Sequence, residues 1–269
     1  MSVYAKRKSS VGSWVWGSVI GVALVMALCG IGYYKLSRET LDKETLCPSG
    51  GAKGQYVVLI DNTSPFPFTQ KSALTQRLKS MVLNDIPEGY MLSVFLLGEK
   101  FEQYEKPVFE RCNPGQWSDR NQFTATKKFV DKDFNDKFSK PLDAVVRQIS
   151  LDEHSKLSPI FEMLQLVGIN GFEHANVKGD RKLIIYSDMI ANMPGFSMYK
   201  GVPAHYSDFA KSPYGRNAQA LGLSGVSVTI NLLANEQKTP QTNRLGDFWA
   251  HYFEANGSSV ESIDAMEGL

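Results

Sequence analysis

Two hydropathy regimes divide the chain. From Ser9 to Tyr34 the run SSVGSWVWGSVIGVALVMALCGIGYY carries no charged residue, whereas everything beyond it alternates short apolar stretches with polar ones. An uncharged run of about 26 residues makes roughly 39 Å of helix, more than the ~30 Å of a hydrocarbon core, so the pattern predicts a membrane-spanning helix over residues 13–34. Trp14 and Trp16 flank it on one side and Tyr33 and Tyr34 on the other, where amphipathic rings prefer the headgroup region. A cleaved signal peptide is the competing reading, since Lys6, Arg7 and Lys8 precede the run. The run is longer than a signal core, however, and no clear small-x-small cleavage site follows it; Leu28 before Cys29 also disfavours lipoprotein processing. The expected organisation is a basic tail 1–12, the span 13–34, a juxtamembrane linker 35–53 and one domain over 54–269. A short basic tail is expected to stay cytoplasmic, with the domain periplasmic or extracellular. Gly17 and Gly21 have the spacing through which two spans can pack, a route to a homo-oligomer.

Beyond the linker, QYVVLID is a short apolar run rich in β-branched residues and reads as a buried strand. Thr69 to Asn84 places Ala73, Leu74, Leu78, Met81 and Val82 on one helical face. YMLSVFLLGE is the next strand, KPVFERC a shorter edge strand, and RKLIIYSD and GVSVTINLL are two further apolar strands. Pro141 and Pro159 open helices, an aromatic helix covers Leu245–Glu254, and a last short strand lies near Ser259–Ile263. Residues 121–149, with Phe123, Phe129, Phe134 and Phe138 at irregular intervals, give no clear period. Strands apolar on both faces and separated by helices predict an α/β fold: a Rossmann-like, doubly wound, mainly parallel sheet with helices on both faces.

Composition narrows the function. Lys plus Arg (29) and Asp plus Glu (28) nearly cancel to a net charge of +1, so no global field would hold nucleic acid. Of the three cysteines, Cys29 falls in the span, leaving Cys47 and Cys112. In an oxidising compartment, a Cys47–Cys112 disulfide would tie the linker to the domain. The four histidines lack metal-ligand spacing, and no G-x-S-x-G elbow, P-loop or G-x-G-x-x-G occurs, so no enzyme signature is present.

Ligands of open parallel sheets bind at the carboxyl ends of the strands, where strand order reverses. Polar residues collect there: Asp61-Asn62-Thr63-Ser64-Pro65 after the first strand, Ser187-Asp188 after RKLIIYS, and the helix start Ser158-Pro159-Ile160. Carboxylates and hydroxyls are hard oxygen donors suited to Mg²⁺ (or Mn²⁺) with several waters. Asp61 and Thr63 could equally form a strand-ending turn, and Ser158 a helix N-cap.

In this order of motifs the chain resembles the von Willebrand factor type A domain, over about 210 residues: a strand ending in D-x-T-x-P, a Ser-Pro-Ile helix start, a strand ending in Ser-Asp, then a strand and a terminal helix running into Asn256-Gly257. The resemblance implies a metal-ion-dependent adhesion site in which Asp61 is the first acidic ligand, Thr63 and Ser158 the hydroxyls, and Asp188 the second acid. Pro65 departs from the pattern, since it stands where the family has a second hydroxyl. Water can fill such a vacancy on Mg²⁺.

The segment FSMYKGVPAHYSDFAKSPYGR follows the strand bearing Asp188 and reads as an exposed loop. Its Phe196, Met198, Tyr199, Tyr206, Phe209 and Tyr214 are residue types enriched at interfaces, and so are candidate partner contacts. The expected function is a membrane-anchored protein-binding module. Its alternatives are a structural subunit of a membrane or envelope complex with a vestigial metal site, and a metal-assisted hydrolase using Asp61 and Asp188, which lacks a general base.

Overall fold

A computed structural model describes residues 11–36, 40–65, 68–119, 126–148, 155–173, 176–233 and 242–266. Residues 1–10 of the basic tail, Phe123, His154, His174 and the side chains of Trp14 and Tyr34 lie outside the described residues. The chain divides into two compact units, Met1–Thr40 and Leu41–Leu269.

The first unit contains α1, Val11–Leu36, a helix of 26 residues. Its apolar side chains are exposed, Trp16 at 71% and Leu28 at 67%. Among the described residues no helix is long and apolar enough to cross a membrane.

The second unit is built on a six-stranded sheet of order β3-β2-β1-β4-β7-β8. Its strands are β1 (Gln55–Asp61), β2 (Met91–Leu97), β3 (Phe109–Cys112), β4 (Arg181–Ser187), β7 (Ser227–Leu233) and β8 (Ser259–Met266). All pairs are parallel except β2 with β3, the antiparallel edge. The period-2 alternation of a strand explains the two-sided burial. Val57 and Leu59 of β1 enter one core with Phe95, Leu183, Ile185, Val228 and Ile230. Val58 and Ile60 enter another with Leu92 and Val94.

Helix α2 (Phe68–Ser80), prolonged by a π-helical turn Met81–Asp85, packs Ala73, Leu74, Leu78 and Met81 on the second face. Residues 121–149, unreadable from period, contain α3 (Lys127–Phe134), a π-turn and α4 (Lys140–Gln148). They bury Phe134 and Phe138 but leave Phe129 69% exposed. The first face is covered by α5 (Ile160–Leu166) and α8 (Thr242–Ala255).

The domain starts earlier than the composition suggests. Residues 41–53, expected as linker, belong to the second unit: Leu41 bridges Pro48, Ala52 bridges Val177, and the Cys112 N–H donates to the Thr45 carbonyl at 2.7 Å. Cys47 and Cys112 form a disulfide with Cα atoms 4.8 Å apart.

The expected exposed loop is also folded. It holds the hairpin β5 (Asn192–Met193) and β6 (Phe196–Ser197), then α6 (Tyr206–Lys211) and α7 (Pro213–Asn217). Ser212 caps α7, its Oγ accepting the Gly215 N–H at 2.9 Å.

Candidate metal and partner-binding site

Strand order reverses between β1 and β4, since β1 leads on to β2 on one side and β4 to β7 on the other, and the carboxyl ends at such a reversal are where ligands of open α/β sheets bind. Asp61 closes β1 and Ser187-Asp188 closes β4, so two strand ends deliver the polar residues to one place. Ser158 arrives separately. Its N–H donates to the Asn192 carbonyl at 2.9 Å and its carbonyl accepts the Asn192 N–H at 3.0 Å, pinning the segment before α5 to the hairpin beyond β4.

The four predicted ligands are all buried: Asp61 2%, Thr63 3%, Ser158 7% and Asp188 8% exposed. Asp61 Oδ1 accepts the Thr63 N–H at 2.9 Å and the Thr63 hydroxyl at 2.7 Å, while its Oδ2 accepts the Ser187 hydroxyl at 2.5 Å. Thr63 Oγ lies 3.2 Å from Ser158 Oγ. Asp188 turns back on its own loop, Oδ1 accepting the Ile190 N–H at 2.9 Å. Burial pushes the Asp61 carboxyl above its ordinary range, opposed by the bonds from Ser187 and Thr63. Among the described residues those hydrogen-bond partners are neutral dipoles, none of them a cation.

Met189 makes the turn that takes Asp188 out of the strand. Its φ of 57° is left-handed, an unusual conformation for a bulky residue. It is held from both sides: its N–H donates to Ser187 Oγ at 2.8 Å, and its carbonyl accepts the Trp249 indole N–H at 2.9 Å. Ser187 therefore links Asp61 to the Asp188 turn, and Trp249 anchors that turn to α8.

The donor set can be tested against a hard cation. In octahedral Mg²⁺ with oxygens at about 2.1 Å, neighbouring ligands sit about 3.0 Å apart. The 3.2 Å separation of the Thr63 and Ser158 hydroxyls fits two adjacent ligand positions. The single Thr63 proton goes to Asp61, the shorter contact, leaving its lone pairs for an ion or for the Ser158 proton. Among the described residues no cluster of three or more His, Cys, Asp and Glu side chains could hold a metal. An ion here would rest on hydroxyls, waters and few carboxylates, a set suited to Mg²⁺ and unsuited to a soft metal. Pro65 supplies no side-chain oxygen.

Two participants escaped the sequence reading. Ser187 was visible only as part of a strand end, although a hydroxyl directly before Asp188 was the available signal. Asn62 is 4% exposed and its Oδ1 has no hydrogen-bond partner among the described residues, an acceptor beside Asp61 that sequence alone does not reveal.

The predicted partner contacts need correction. Met198 and Phe209 are 1% and 3% exposed, and Phe196, Tyr206 and Tyr214 are half-buried. Only Tyr199, at 43%, is exposed. Phe161 draws the rings inward: its centroid lies 5.0 Å from Phe209, 5.9 Å from Phe196 and 5.8 Å from Tyr214, and 4.9 Å from Trp249 of α8. The apolar area of so many rings is worth more buried against one another than in water.

No family model and no curated protein matches the chain. Among solved structures it is similar to an aerotolerance-related membrane protein from Bacteroides fragilis, at 9% identity and a TM-score of 0.39, over 78% of this chain and 90% of that one. It is also similar to a mutant of the PilB minor pilin from Streptococcus sanguinis, at 10% identity and a TM-score of 0.42, over 81% of this chain and 58% of that one. Likenesses at this level set neither family nor function. The structure itself has a mainly parallel, six-stranded α/β sheet, an arrangement consistent with the type A resemblance, with a buried cluster of hydroxyls and carboxylates at the reversal of its strand order.

Proposed function

We propose that the protein is a membrane-anchored binding module whose strand-end face engages a protein partner through a bound Mg²⁺ or Mn²⁺ ion. The observation that carries this reading is the pair of hydroxyls, Thr63 and Ser158, 3.2 Å apart and backed by the buried Asp61. Thr63, Ser158 and Asp188 would hold the ion, with Asp61 orienting the Thr63 hydroxyl through their 2.7 Å bond. A partner carboxylate would complete the shell. Anchorage rests on the uncharged apolar run from Ser9 to Tyr34.

Recovery of partners from detergent-solubilised membranes, with and without EDTA and with Asp61→Ala or Asp188→Ala, tests the reading. Loss of the same partner in all three treatments supports a metal bridge. Full retention sinks it and favours a structural subunit of a membrane or envelope complex. A metal-dependent ester or phosphate hydrolysis abolished by Asp61→Ala would instead make the protein an enzyme.

A further inference from the structure

The first turns of α8 carry a second constellation that the strand-end site does not use. Arg244, Asp247, Phe248 and His251 are spaced i, i+3, i+4 and i+7, so they share one side of the helix. A core-facing stripe at that spacing is normally apolar. Here only Phe248 is buried, continuing into the core with Leu245 and Trp249, while Arg244, Asp247 and His251 are exposed. Opposite them stands the segment that opens α6, bringing His205 and Tyr206. The two segments enclose a cleft of about 390 Å³, within the range that holds small organic ligands.

The polar groups of this cleft are not spent on one another. Arg244 and Asp247 are three residues apart, yet neither they nor His205 has a side-chain hydrogen bond or ion pair among the described residues. The His251 Nδ1 lies 2.7 Å from the Asp247 carbonyl oxygen. A carbonyl only accepts, so Nδ1 carries the proton and Nε2 is the outward nitrogen. Three nitrogen-bearing side chains and one carboxylate thus meet around the rings of Tyr206 and Phe248.

We propose that this cleft binds a monoanionic carboxylate attached to a flat apolar body. The Arg244 guanidinium presents the planar fork that pairs with a carboxylate in two parallel hydrogen bonds. His205 and His251 add donors when protonated. Asp247 cancels the formal charge of Arg244, so a dianion such as phosphate meets no net positive field, whereas a single negative charge can be taken up by the fork. Tyr206 and Phe248 supply the apolar wall for the rest of the ligand.

Benzoate is the probe, titrated into the full-length protein in lipid nanodiscs with isotope-labelled histidine. His205 and His251 signals are expected to shift saturably. Arg244→Gln is expected to weaken binding about tenfold or more, as loss of a charge-assisted fork does. Asp247→Asn is expected to tighten it by removing like-charge repulsion, an opposite sign that misfolding cannot imitate. The proposal is overturned if the shifts do not saturate, if Arg244→Gln binds as well as the wild type, or if inorganic phosphate shifts His205 and His251 more strongly than benzoate.

Discussion

Replacing Thr63 by valine separates the two roles assigned to its hydroxyl. The substitution keeps the branched shape and removes one oxygen. Asp61 then loses the 2.7 Å bond to its Oδ1 but keeps the Thr63 N–H and the Ser187 hydroxyl. A hydrogen bond to a charged group is worth about 1.5–3 kcal/mol. For a domain of 150–250 residues each kcal/mol moves Tm by about 2–4 °C, so the metal-free variant should melt about 3–12 °C lower. Mg²⁺ adds a separate effect. At a hundredfold excess over Kd it stabilises the native state by about 2.7 kcal/mol, and Thr63→Val, lacking one of two adjacent ligand oxygens, should lose most of that shift. Differential scanning fluorimetry of wild type and variant in EDTA and in rising Mg²⁺ reads both. A variant as stable as wild type in EDTA refutes the hydrogen-bond reasoning. A wild type indifferent to Mg²⁺ and Mn²⁺ refutes the metal reasoning and leaves the cluster as a structural turn.

Other perturbations test the packing around this site. Phe161→Ala empties the centre of the aromatic cluster, where the ring is fully buried, and should cost about 3–5 kcal/mol in urea denaturation; Phe129→Ala, at a 69% exposed ring, should stay within about 0.5 kcal/mol. A smaller effect at Phe161 than at Phe129 would show that the rings do not form the core. Burial pushes the Tyr186 phenol from its ordinary 10.0 to about 12, so the folded state holds its proton more tightly than the unfolded chain. That stability is complete below pH 10 and is lost as pH rises to about 12, at about 1.4 kcal/mol per pH unit; Tyr186→Phe should flatten this decline, as read by melts at fixed pH. Cys112→Ser opens a cross-link spanning 65 positions, which loop-closure entropy values at about 4 kcal/mol. Non-reducing melts of wild type and variant measure it, and equal stability would show that the bond does not form.

The strands were legible because their chemistry is extreme. QYVVLID and RKLIIYS are apolar on both faces and end abruptly in Asp61 and Ser187-Asp188, so composition alone marks both the buried sheet and its polar rim. The approach of Ser158 was less accessible, since it depends on a backbone bridge to Asn192, and a main-chain pairing between an irregular segment and a two-residue strand leaves no side-chain pattern. The segment after β4 was misread for a related reason. Helices of six and five residues, α6 and α7, are too short to show a 3.6-residue period, and glycine and proline between aromatics gave the look of a loop. What the sequence could not convey was that Phe161, more than thirty positions earlier, would gather Phe196, Phe209 and Tyr214 around it.

The two ends of the sheet have been put to different uses, and the division follows from chain direction. In parallel strands every N-terminus lies at one end and every C-terminus at the other, and a seven-residue strand separates them by about 23 Å. The segment 41–53 packs at the amino end: it contributes the Thr45 carbonyl that accepts from Cys112 beside the start of β2, and the disulfide fastens it to β3, whose C-terminus also falls there because β3 runs antiparallel. Asp61, Thr63, Ser158 and Asp188 gather at the carboxyl end. Groups that far apart with no shared partners contribute additively, so loosening the cross-linked end lowers global stability while leaving the hydroxyl pair at its spacing.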